Sequence, residues 1–159
     1  MLNKKIPHFA FSIKYKGIAR ELISDIEIIN PLNNQRKKYK AIWDTGATNT
    51  VITSKVLKEL SLTIVDIATI VGVNSEPEHA QVALFNLLLP NNVSIKGVRG
   101  SVCTIGGDAD ILIGMDIIKF GDFAISNSGG QTLFSFAIPP FENKTDLLEK
   151  ANKTNKNNF

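Results

Sequence analysis

Apolar and polar positions alternate in steps of two along much of the chain, the period of a strand with one face buried. Phe9, Phe11, Ile13 and Tyr15 alternate with Ala10, Ser12 and Lys14, which predicts a strand over residues 9–15. Residues 18–29 mix apolar and polar positions up to the turn-forming Asn30-Pro31-Leu32-Asn33-Asn34, and a strand over 37–43 follows. Residues 67–73 and 80–89 flank the polar Asn74-Ser75-Glu76-Pro77 and read as a hairpin. Beyond the turn at Pro90-Asn91-Asn92 come a strand over 93–102, a break at Gly106-Gly107-Asp108, and the apolar run Ile111-Leu112-Ile113. Two more strands, near 123–126 and 132–138, end at Pro139-Pro140.

Helical spacing is rarer. Residues 54–60 place apolar side chains at helical intervals behind a capping residue, Thr53 or Ser54, and a short helix is expected at 115–119 after Gly114. The pattern therefore predicts an all-β fold, mainly strands with one or two short helices. Residues 1–142 form its one domain. From Asn143 the sequence turns to Asn, Lys and Thr, with Leu147 and Leu148 as the only anchors, so residues 143–159 are expected to be a loosely ordered tail.

With 159 residues and 43% apolar content, the chain can bury a core without disulfides or metals. Cys103 is the single cysteine, and His8 and His79 are isolated, so neither an internal disulfide nor a metal or cofactor site is expected. The net charge of +3 owes much to Arg36, Lys37, Lys38, Lys40 and the tail. Aromatic residues do not interleave with these bases, and no nucleic-acid partner is expected. No apolar run suits a signal peptide or a membrane span, which predicts a soluble, cytoplasmic protein with no membrane partner.

Candidate chemistry lies at Ala41-Ile42-Trp43-Asp44-Thr45-Gly46-Ala47, where an apolar strand ends in a carboxylate and a turn of small residues. Burying an isolated carboxylate is costly without a cation or hydrogen-bond donors, and no base is adjacent in sequence. Gly46 allows a sharp turn, and the Thr45 hydroxyl can bond to backbone groups. An ordinary strand-end turn, or the cap of a short helix over 48–53, is the alternative use of Asp44. Trp43 reads as a core residue filling volume beneath the loop. Glu76, Glu78 and His79 read as a solvated hairpin tip, and Cys103 as a small buried side chain rather than a nucleophile.

A second segment, Asp110-Ile111-Leu112-Ile113-Gly114-Met115-Asp116, sharpens the picture. An apolar strand entering Asp-Thr-Gly, a hairpin, and a later apolar-apolar-Gly opening a short helix together resemble the retropepsin-like aspartic proteases. Residues 43–52 and 112–118 look like the bacterial single-domain members. The likeness covers roughly residues 9–140 and implies a half-barrel completed by homodimerisation. It implies Asp44 as the catalytic carboxylate, Thr45 as the lock between the two loops across the dimer, and Gly46 as the space beneath the scissile bond. Ala47, Thr48 and the flap residues Val71, Gly72 and Val73 are the implied substrate contacts. The implied activity is hydrolysis of peptide or protein substrates by two carboxylates, one as base and one as acid. This chain supplies one Asp-Thr-Gly, so the partner is a second copy. A catalytically weak dimer that binds extended peptides is the alternative. Alanine at 47, unlike the serine of some members, cannot donate to the carboxylates, which implies a working pH nearer neutral. Viral members carry an arginine after the second glycine, paired with an aspartate after the catalytic loop. Met115 and Thr48-Asn49 stand there instead, so the dimer must be held by other means, such as its terminal strands.

Overall fold

The computed structural model describes residues 6–71 and 76–156. Its strands in chain order are β1 (Phe9–Lys14), β2 (Ile23–Ile29), β3 (Arg36–Trp43), β4 (Val51–Ile52), β5 (Thr63–Ile70), β6 (Glu78–Leu88), β7 (Ser94–Val102), β8 (Ile111–Ile113), β9 (Asp122–Ser126) and β10 (Leu133–Ile138). Helix α1 (Ser54–Glu59) links β4 to β5, α2 (Met115–Ile118) follows β8, and α3 (Leu147–Lys156) comes last.

Seven strands pair in the order β2-β3-β8-β4-β7-β6-β5, and β2 also pairs with the end of β6, from Glu27↔Leu88 to Ile29↔Asn86. This second pairing closes the sheet on itself. The remaining strands form an antiparallel sheet, β1-β10-β9.

Alternation explains the closed sheet's inner face. β2 buries Ser24, Ile26 and Ile28, and β3 buries Tyr39, Ala41 and Trp43. The outward residues of the same two strands include Asp25, Glu27, Lys38 and Lys40, and the register sets Glu27 opposite Lys38 and Asp25 opposite Lys40. Acids thus face the basic run on the neighbouring strand, which is cross-strand pairing rather than an open positive surface. In β6 the buried positions step from Ala80 and Val82 to Ala83, Phe85 and Leu87. The step falls opposite the register shift between Ile64 and Asp66 of β5, where Val65 is an extra residue. A bulge of this kind bends and twists its strand, and here it marks where the β5–β6 hairpin departs from the barrel.

The two sheets join through aromatic rings. Trp43 packs on Phe136 at 4.9 Å, Phe134 at 5.3 Å, Phe11 at 5.8 Å and Phe123 at 6.3 Å, ring centre to ring centre. One tryptophan at the end of β3 is thereby supported by all three strands of the second sheet.

Helix α1 is fastened by side chains rather than by a cap. Thr53, at its N-cap, turns its hydroxyl to Asp110, and Lys55 pairs with Asp110 at 2.8 Å. Glu59 accepts from Lys37 at 3.0 Å and from the Tyr39 hydroxyl at 2.8 Å. Burial, reinforced by the Glu59 bond and charge, holds the Tyr39 hydroxyl far above its usual pKa.

The segment after Asn143 differs from the loosely ordered tail expected of it. It contains α3, whose residues are all exposed. The Asp146 carboxylate caps it, accepting from the Leu148 and Glu149 N–H groups, and Lys153 pairs with Glu149 one turn away. Local capping and an i,i+4 ion pair thus support a helix that has no buried residue. Among the described residues no helix is long and apolar enough to cross a membrane.

Candidate active site

Strand β3 carries Asp44 to its place. β3 and β8 run parallel, with Ala41, Ile42 and Trp43 opposite Ile111, Leu112 and Ile113, and the Asp44 N–H continues the ladder to the Ile113 carbonyl at 2.9 Å. The other edge of β8 pairs antiparallel with β4. Residues 44–50 therefore leave β3, cross over the end of β8 and return along its far side.

Hydrogen bonds fix this crossing loop. Asp44 Oδ1 accepts from the Gly46 N–H at 2.8 Å, and the Asp44 carbonyl accepts from the Ala47 N–H at 3.3 Å. A Cβ at Gly46 would lie 3.1 Å from that same Oδ1, so the glycine keeps the carboxylate's side of the turn open. The start of α2 reaches the loop from below. The Met115 N–H donates to the Ala47 carbonyl at 2.8 Å and the Asp116 N–H to the Thr48 carbonyl at 3.0 Å. Gly114 makes this approach possible, because a Cβ there would stand 2.6 Å from the Asn49 carbonyl carbon and oxygen.

Thr50 closes the loop. It is fully buried, accepts from the Gly114 N–H at 3.3 Å and donates to Asp116 Oδ1 at 2.8 Å. This pair was not legible beforehand. Its signal was a hydroxyl just ahead of Val51-Ile52 and an acid inside the apolar Met115-Asp116-Ile117-Ile118, two polar side chains in apolar settings that satisfy each other. The loop forms no helix over 48–53, and Asp44 does make a turn bond to its own chain, which is the structural use expected of it.

Exposure divides the loop sharply. Trp43 beneath it is 4% exposed, and its indole N–H donates to Ser24 Oγ at 2.8 Å. Asp44 and Ala47 are half-buried, while Thr45, Gly46, Thr48 and Asn49 are exposed. The carboxylate thus sits at the surface on a rigid base, with its neighbours facing outward.

Of the other expected residues, Val71 ends the described part of the first hairpin arm and is 70% exposed, so it is not packed on the loop in the single chain. Gly72 and Val73 lie outside the described residues. Glu76, Glu78 and His79 are exposed. Cys103 is half-buried, and burial, with the Glu78 charge, pushes its thiol pKa up. Among the described residues no group of three or more His, Cys, Asp or Glu could hold a metal ion.

The family model described as gag-polyprotein putative aspartyl protease matches residues 31–119, more than half of the chain, from the turn before β3 through the crossing loop and hairpin to the end of α2. No curated protein matches the sequence. Among solved structures, the chain is similar to a retropepsin-like aspartic protease from Rickettsia conorii, with 20% identity over 83% of this chain and 96% of that one, at a TM-score of 0.54. That likeness is one of fold.

Proposed function

Since the chain belongs to the gag-polyprotein putative aspartyl protease family and has a mainly-β, retropepsin-like fold, we propose that it is an aspartic endopeptidase assembled as a homodimer. The observation that carries this reading is the Asp44 carboxylate, which accepts from the Gly46 N–H at the surface end of β3, where the Asp44 N–H donates to the Ile113 carbonyl, in the chain's only Asp-Thr-Gly. One such carboxylate is half of a two-carboxylate machine. Two-fold symmetry brings the second from the partner, since a symmetric interface presents the same patch twice.

In this mechanism the two Asp44 groups share a proton, because like charges at close range cannot both ionise cheaply. The ionised one takes a proton from water as the oxygen attacks the peptide carbonyl, and the protonated one donates to that carbonyl oxygen. Thr45 bonds its counterpart across the axis, and Gly46 leaves room for the substrate backbone. Ala47 and Thr48 line the cleft, and Val71, Gly72 and Val73 close over it from the hairpin. No cofactor enters the reaction.

The test incubates wild type and Asp44→Asn with a diverse peptide library between about pH 4 and 8 and measures the sedimentation of both. Wild-type cleavage lost in Asp44→Asn, with both proteins dimeric, is expected. A dimer that binds extended peptides yet cuts none means the fold serves recognition instead. Cleavage surviving in Asp44→Asn rules the mechanism out.

A further inference from the structure

Outside the crossing loop, the strand that carries Asp44 also floors a cavity of about 310 Å³. Ile42 and Ile23 are cross-strand partners and form its base, with Ala109 beside them. Glu21 rises from one side, just before β2, where the neighbouring Leu22 carbonyl accepts from the Trp43 N–H. Asp108 rises from the other, in the turn that the bond from the Asp110 N–H to the Lys40 carbonyl fixes against β3. Lys40 completes the wall.

Two features turn this cavity toward the chemistry. Side chains alternate along a strand, so Ile42 and Asp44 lie on the same face of the chain, about 7 Å apart along it. That is the reach of one or two substrate residues from the point of attack. The cavity's charge is also unbalanced. Lys40 faces Asp25 across the β2–β3 register, and Glu21, Asp108 and Lys40 are all exposed and take part in no ion pair among the described residues, so two carboxylates stand against one ammonium in the lining.

We infer that this cavity is a specificity pocket for a lysine or arginine side chain of the substrate, with Ile23 and Ile42 packing its methylene stem and Glu21 and Asp108 receiving its charge. The inference rests on the endopeptidase reading. A long basic side chain suits the site because its apolar stem can lie on apolar surface while the charged head stays near water. Glutamate or aspartate in the same place would meet two carboxylates against the one ammonium of Lys40, so the pocket discriminates by net repulsion as well as by attraction.

The experiment uses the full chain and peptides that differ only in carrying Lys, norleucine or Glu at one position near the cut bond. It measures kcat/KM for each. It also measures the binding of matching statine peptides, which no protease hydrolyses. For wild type, the Lys peptide is expected to exceed norleucine by about five- to tenfold, as two exposed carboxylates can supply, with Glu the poorest. In Glu21→Gln/Asp108→Asn the Lys-to-norleucine ratio is expected to fall to near unity. Asp108→Lys, an independent surface change, is expected to shift preference toward Glu. Equal use of Lys and norleucine by wild type, or an unchanged ratio in the variants, overturns the pocket while leaving the protease reading intact. Tighter binding of the Lys statine peptide by a wild type that cuts nothing sustains the pocket and overturns the protease. Failure to favour Lys in either assay overturns the pocket.

Discussion

Replacing Thr50 with valine removes one oxygen from the centre of the loop's support and leaves the shape nearly unchanged. The hydroxyl donates to Asp116 Oδ1 at 2.8 Å and accepts from the Gly114 N–H at 3.3 Å, inside a residue with no exposed surface. A hydrogen bond to a charged group contributes about 1.5–3 kcal/mol, and a buried donor left unpaired costs about 1–3 kcal/mol. Asp116 is half-buried, so water can partly replace its lost donor, and the 3.3 Å bond is long. The net cost is therefore expected near 2–3 kcal/mol, toward the low end of the combined range. With urea slopes of about 1–3 kcal/mol per molar, the unfolding midpoint should drop by roughly 0.7–3 M at unchanged slope. Protein concentration must be held fixed, since dimerisation shifts apparent stability. Thr50→Ser keeps the hydroxyl and loses one methyl group, about 1 kcal/mol. Peptidase activity should follow the same order, because loop residues 44–49 rest on this contact. Thr50→Val unfolding within about 0.5 kcal/mol of wild type, or Thr50→Ser proving as harmful as Thr50→Val, would refute the assignment of Thr50 as the loop's anchor.

Gly114→Ala forces a methyl group to within 2.6 Å of the Asn49 carbonyl, and an overpacking cost of about 1–3 kcal/mol is expected in urea unfolding, with activity lost first. Trp43→Ala empties the junction of the two sheets and is expected to cost about 3–5 kcal/mol in the same assay. Trp43→Phe, which keeps most of the ring packing but leaves Ser24 without its donor, should cost about 1–2 kcal/mol less than that. Folding raises the Tyr39 pKa, so the folded protein holds that proton more tightly than the unfolded chain. The contribution is whole below about pH 10 and is lost as pH rises further. Tyr39→Phe should flatten the alkaline decline of stability, and a variant whose decline matches wild type contradicts the linkage.

Strands were legible in the sequence wherever a sheet face is half-buried. Residues 37–43 alternate because Lys38 and Lys40 meet water while Tyr39, Ala41 and Trp43 meet the core, and β3 occupies Arg36–Trp43. β4 escaped the same reading. Two residues show no period, and Val51-Ile52 becomes a strand only through β7 and β8, which arrive from distant parts of the chain. Helix α3 was missed for the opposite reason: it has no buried face to leave a pattern, and its support is the Asp146 cap and the Glu149–Lys153 pair. At the site, Asp44-Thr45-Gly46 and Gly114 were recognisable as local motifs. The Thr50–Asp116 bond was not, since nothing in either neighbourhood says that β4 and α2 will meet.

A mixing titration tests the central claim most directly. Wild type and Asp44→Asn are combined in varying ratio at constant total protein, equilibrated so that subunits exchange, and assayed on one peptide. If each active site needs two Asp44 carboxylates, one from each subunit, mixed dimers are inactive and activity follows the square of the wild-type fraction. An equal mixture then retains roughly a quarter of the wild-type rate. A straight-line decline, leaving roughly half the rate in the equal mixture, would show that one chain's carboxylate suffices and contradict the shared site.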